Sequence, residues 1–180
     1  VKKTLLFFCA AMVMASCGGT EDPHGTTAAH PPAPEMAEEI GRLETLLQDS
    51  TGSRRIAAEL MRSYQDFYNF YPNDQRAAGY LFKAADLARG LKKPKVCIDL
   101  LTTLHDAFPD DPKADQVAFL VAFEYEQGLR DTTMARTYYR KVIELHPASM
   151  WAQEAEKNLK LLEMTKEEMI KFLQSQNSPS

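Results

Sequence analysis

The sequence predicts an all-α fold, an α-solenoid of antiparallel helix pairs, and three observations carry that prediction. Ala (22) and Leu (19) supply 41 residues against 11 for Val plus Ile. β-branched side chains suit a pleated surface, whereas Ala and Leu lose little entropy in a helix, so this balance argues against a β-sandwich or barrel. Three prolines follow an aromatic residue or His, in Tyr71-Pro72, Phe108-Pro109 and His146-Pro147, at spacings of 37 and 38. Proline cannot continue a helix interior, so these mark repeated helix ends at a period typical of solenoids. Counting back from each proline then gives one ladder three times over. Leu60, Tyr64 and Phe67 precede Pro72; Cys97, Leu101 and Leu104 precede Pro109; Ala135, Tyr139 and Val142 precede Pro147, always at steps of 4, 3 and 5.

Composition narrows the function classes. In 180 residues, 44% hydrophobic and 26% charged content is ordinary globular usage, unlike that of a disordered chain or a multi-pass membrane protein. The net charge of −4 disfavours a nucleic-acid partner, because phosphate binding needs a concentrated basic surface. Three cysteines cannot build a disulfide framework.

The elements follow in order. Residues 1–16 read as a signal peptide: Lys2 and Lys3 precede an apolar run from Leu5 to Met14, ten residues and about half the ~20 that span a bilayer. Met14-Ala15-Ser16-Cys17 places small residues before a cysteine and resembles the bacterial lipoprotein lipobox. That resemblance implies cleavage after Ser16 and a diacylglycerol on the Cys17 thiol, hence a chain anchored to a membrane without spanning it. The bland alternative is a plain secretory signal with an incidental cysteine. Gly18, where inner-membrane lipoproteins tend to carry Asp, favours the outer membrane by the same resemblance, with its periplasmic face preferred over surface display. Residues 17–34 hold Pro23, Pro31, Pro32, Pro34, Gly18, Gly19 and Gly25 with little to bury, and are expected to be a flexible tether. His24 and His30 lack a third ligand on that tether and are read as linker residues.

From Glu35 helical periodicity takes over, with helices expected at about 35–48, 53–70, 74–89, 94–107, 112–128, 131–146, 149–162 and 165–175. Asp49-Ser50-Thr51-Gly52-Ser53 interrupts the first pair. Asp110-Asp111 before Pro112 is the expected start of a helix, and Thr165 with Glu168 fits a capping box. Residues 176–180 are expected to fray.

The ladder resembles the second helix of the tetratricopeptide repeat (TPR), and Val121-Ala122 followed by Tyr125 resembles its first helix. A shift of 37 also carries Pro72-Asn73-Asp74 onto Pro109-Asp110-Asp111, Phe82 onto Phe119 and Ala85 onto Ala122. The domain is therefore expected over 35–175, with full repeats at about 74–109 and 111–147, a degenerate first pair and a C-terminal cap. Small residues at Ala85, Ala122, Cys97 and Ala135 are expected where two helices cross closely.

No Gly-rich phosphate loop, HExxH or GxSxG occurs. Cys97 fits a small packing rung better than a nucleophile. His105 and His146 sit near helix C-termini without metal spacing. No catalytic residue, metal or cofactor is expected, and binding is the favoured function. The TPR resemblance implies a concave groove carrying Phe82, Asp86, Arg89, Phe119, Phe123, Glu126, Gln127 and Lys157, with Glu154 beside the last. Phe119 and Phe123, four apart, share a helix face and offer an apolar platform unless the next repeat buries them. The cationic clamp of chaperone-tail-binding TPRs is absent. By resemblance the chain is a lipid-anchored adaptor or assembly factor for envelope proteins, similar in its repeats to BamD-type and cell-division-coordinator-type proteins. The alternatives are a homo-oligomeric scaffold or an outer-membrane assembly component, the latter on fold analogy alone.

Overall fold

The computed structural model describes residues 30–49 and 53–176, and among them every regular element is helical. Eight α-helices follow one another: α1 (Ala33–Asp49), α2 (Arg54–Phe70), α3 (Ala77–Gly90), α4 (Pro94–Ala107), α5 (Ala114–Phe123), α6 (Thr132–Leu145), α7 (Met150–Glu163) and α8 (Lys166–Gln176). A π-helical turn, Glu124–Gly128, continues directly from α5. The leader, Cys17, the tether as far as residue 29 and the tail from 177 lie outside the described residues.

The starts of these helices follow from local chemistry. Ser53, Asp131 and Ser149 accept the backbone N–H of Ile56, Met134 and Ala152, satisfying donors that have no partner inside the helix. Thr165 and Glu168 close the expected capping box, each accepting the other's backbone N–H. Three boundaries differ from the sequence reading. α1 starts at Ala33, so Ala33 and Pro34 belong to the helix and not to the tether; a proline in the first turn loses no intrahelical bond. α3 and α5 start later than expected, because Asp74 and Asp111 first build a turn. Their carboxylates accept the N–H of Arg76 (2.9 Å) and Lys113 (2.8 Å). The Arg76 guanidinium also grips the Asp74 carboxyl and holds it down at about 2. At the other end Gln176, expected to fray, still belongs to α8.

Each helix from α1 to α6 packs on its successor across a short connection, which makes neighbours antiparallel, and α5 also reaches α7. The small rungs behave as helix crossings require: Ala85, Cys97, Ala122 and Ala135 are all fully buried. Larger rungs fill the space between them, among them Tyr64, Phe67, Leu101, Tyr139 and Val142. Two buried clusters result, one centred on α1–α4 and one on α5–α7. α5 contributes Val117 and Val121 to the first and Phe119 and Ala122 to the second, which is why every residue from Val117 to Phe123 is apolar.

The π turn explains the change of period from 37 to 38. The odd-helix matches, Phe82 with Phe119 and Ala85 with Ala122, obey 37; the even-helix matches, Cys97 with Ala135 and Leu101 with Tyr139, obey 38. One residue is therefore inserted between Ala122 and Ala135. At the end of α3 the Leu91 N–H bonds back four residues to Leu87 O, whereas the Leu129 N–H bonds back five, to Glu124 O. The wider turn absorbs the extra residue, and the chain regains register at Lys92 and Arg130, equivalent left-handed residues with φ of 58° and 59°.

Candidate functional site

The odd-numbered helices touch in sequence, α1 to α3 through Glu44 and Lys83, α3 to the π turn through Arg89 and Glu124, and α5 to α7 by direct packing. The face they form carries the residues read as groove positions, and the structure sorts those residues into three groups.

Phe82 and Phe119 are packing residues. Phe82 is half-buried, with Lys113 Nζ 4.7 Å from its ring centroid. Phe119 is 7% exposed, with its ring 5.1 Å from Trp151 and 5.6 Å from Tyr139. The expectation of an apolar platform at Phe119 is thus corrected: Trp151 of α7 lies over it. Both positions lie on the flank that meets the approach to the next odd helix.

Arg89 is an internal tie. Its Nε donates to Glu124 Oε1 at 2.5 Å and its Nη1 pairs with Asp86 Oδ1 at 3.2 Å. Glu124, 4% exposed, is the buried charged residue among the described residues. Burial pulls the Arg89 pKa down, but the Glu124 carboxylate outweighs it and leaves the guanidinium more firmly protonated than usual. Cys97 lies beside this pair, and burial pushes its thiol up to about 12, so it is a thiol and not a nucleophilic thiolate near neutral pH. Gly128 is required here, since a Cβ would come 2.6 Å from Pro94 Cβ and 2.8 Å from Glu124 Oε2.

Asp86, Phe123, Glu126, Gln127, Glu154 and Lys157 remain at least partly accessible. Phe123 stacks on Phe119 with 6.2 Å between ring centroids. Lys157 pairs with Glu154 at 2.6 Å on the surface. Glu126 accepts the Tyr139 hydroxyl on one oxygen (2.8 Å) and Gln127 Nε2 on the other (2.7 Å), while Asn158 Nδ2 donates to the Tyr139 oxygen at 3.0 Å.

That network has a counterpart the sequence reading missed. The Tyr64 hydroxyl donates to Glu44 Oε1 at 2.5 Å, and Lys83 Nζ reaches the same oxygen at 2.6 Å. Tyr64 and Tyr139 share a ladder rung, and one shift of 75 residues carries Tyr64 onto Tyr139 and Lys83 onto Asn158. A tyrosine buried on an even helix needs a hydroxyl partner, and that demand was the available signal. Burial would raise the Glu44 carboxyl, yet the donors from Lys83 and Tyr64 prevail and hold it below its ordinary value. Burial, followed by the hydrogen bond to a carboxylate, raises the pKa of Tyr64 and of Tyr139. The middle rung, Leu101, breaks the series, and there Arg89 and Glu124 provide the polar link.

The accessible strip thus offers carboxylates, two lysines, amides and one aromatic ring, a set suited to holding a polypeptide. Among the described residues no group of three or more His, Cys, Asp or Glu is arranged to hold a metal ion. No described helix is long and apolar enough to cross a membrane. No protein-family model matches the sequence, and no curated protein matches it.

Proposed function

We propose that the chain is a TPR-type α-solenoid, tethered to the outer membrane through lipid on Cys17, which binds other envelope proteins as an adaptor or assembly factor. The carrying observation is the threefold ladder, with small residues buried at Ala85, Cys97, Ala122 and Ala135, together with the links along the odd helices from α1 to α3, α3 to the π turn and α5 to α7. In a solenoid the odd-helix face is the concave one, and its working residues are Asp86, Phe123, Glu126, Gln127, Glu154 and Lys157. Phe82, Phe119 and Arg89 hold the face together from beneath. The anchor reading rests on the Met14-Ala15-Ser16-Cys17 pattern alone.

Crosslinking in cells, followed by purification, tests the groove. A Phe123→Ala/Gln127→Ala double variant, which removes accessible side chains, retains its fold and loses the partners captured by the native chain. An unchanged partner set in a folded double variant defeats the reading. Cys17→Ser tests the anchor separately: the variant is released from washed membranes, and continued membrane association rejects the lipid.

A further inference from the structure

Resting on the groove reading above, we propose that the odd-helix face takes a polypeptide segment bearing a lysine or arginine, whose cation docks on Glu126 beside the Phe123 ring. The two tyrosine–carboxylate networks are built alike and differ in charge. In the first, the Tyr64 hydroxyl donates to Glu44 Oε1 at 2.5 Å, and Lys83 from the next odd helix brings an ammonium to the same oxygen at 2.6 Å. Carboxylate and cation cancel there. In the second, the Tyr139 hydroxyl donates to Glu126 Oε2 at 2.8 Å, but the shift of 75 residues that carries Tyr64 onto Tyr139 puts Asn158 where Lys83 stood. The Asn158 amide donates to the tyrosine oxygen at 3.0 Å and not to the carboxylate. Gln127 supplies the donor to Oε1, at 2.7 Å. Both Glu126 oxygens thus accept a hydrogen bond, yet both donors are neutral. No lysine or arginine among the described residues comes within ion-pair distance of it.

The cations of this face are already engaged: Lys83 by Glu44, Arg89 by Glu124 and Asp86, and Lys157 by Glu154. Lys160, two residues past Asn158, stands on another side of α7, in a depression with Glu156 and Glu163. An acidic segment therefore meets cations that are paired, whereas a basic one meets a carboxylate that is not. The surroundings suit a cation on an aliphatic stem. Glu126 is half-buried and fixed by Tyr139 and Gln127, so little ordering is left for binding to do. Phe123, one turn earlier, is half-buried and stacked on Phe119, and its accessible part offers a ring to the methylenes and charge of a lysine or arginine. Lys83 shows the same arrangement within the chain. Its Nζ lies 5.7 Å and 5.9 Å from the Tyr64 and Tyr80 ring centroids while it pairs with Glu44.

Selection of a phage-displayed random-peptide library on the full chain in nonionic detergent, followed by fluorescence-anisotropy titration of the enriched peptides, tests the proposal. The enriched peptides share a lysine or arginine, and exchanging it for neutral norleucine or citrulline weakens binding roughly tenfold, a comparison that needs no variant of the protein. Glu126→Gln keeps an oxygen for the Tyr139 hydroxyl and so keeps the fold. It weakens the basic peptides roughly tenfold, flattens the salt dependence of their binding and leaves the neutral peptides unchanged. Asn158→Lys supplies within the chain the ammonium that the partner otherwise brings, and it weakens the basic peptides likewise. Enriched peptides with no shared cation, or basic peptides that bind a Glu126→Gln chain like the native one, overturn the cation site. If such peptides still lose binding to the Phe123→Ala/Gln127→Ala chain, the groove itself stands. Peptides that bind that double variant undiminished, or a library that yields no enrichment, overturn the groove reading and the cation site with it.

Discussion

At the scale of single residues, the molecule ties buried tyrosines to carboxylates. The hydroxyl of Tyr139 gives its proton to Glu126 and takes one from Asn158, so a hydroxyl in the second core is fully satisfied. Tyr64 does the same work against Glu44. Replacing Tyr139 with Phe removes both bonds but frees Glu126 and Asn158 to meet water, so urea denaturation should show a loss of about 1 kcal/mol. The pH dependence has a defined sign. Folding raises both tyrosine pKa values above the ordinary 10, so their stabilisation is complete below pH 10 and lost as pH rises beyond it. Stability measured from pH 9 to 11 should therefore fall more steeply in the native chain than in a Tyr64→Phe/Tyr139→Phe variant; equal slopes would reject this reading. Glu44 acts in the opposite window. Its pKa is depressed, so its contribution is present above its ordinary value of 4.5 and disappears as pH falls through the folded value. The rung positions of Tyr64 and Tyr139 were legible in the sequence, because the ladder repeats. Their partners were not, since Glu44 and Glu126 reach them from helices 20 and 13 residues away in the chain.

At the scale of elements, Phe119 and Phe123 show how one turn of helix separates a covered ring from an accessible one. Both belong to α5 and both were read as groove residues, but α7 brings Trp151 onto Phe119 and leaves Phe123 half-buried beside it. Phe119→Ala leaves a void between α5, α6 and α7 and should cost about 3–5 kcal/mol. Phe123→Ala should cost well under half as much, because solvent already reaches that ring. Thermal unfolding of the two variants measures the difference, and similar losses would mean that α7 does not cover Phe119. The four-residue spacing told that the two rings share a face; it could not tell which neighbour covers that face. The π turn belongs to the same scale. The ladder recorded an insertion as a change of spacing, yet only the backbone bond from Leu129 to Glu124 locates the inserted residue within the helix end and not in the following turn.

At the scale of the whole molecule, stability is concentrated between α1 and α7, where each helix covers its predecessor, while α8 adds no described buried residue. Ending the chain after Met164 should therefore cost under about 1 kcal/mol, in contrast to any cut within α7, which exposes Ala152 and Ala155. Denaturant midpoints of the shortened and full chains decide it, and a loss of several kcal/mol would place α8 in the core. The sequence by itself determined the all-α class, the helix pairs and their stops, and the small rungs at the crossings, because proline, capping residues and periodicity act within a few residues of the backbone they shape. Tertiary structure alone decided which rings are covered and which charges are paired. Those outcomes depend on side chains brought together from distant helices, and no local pattern records which helix arrives.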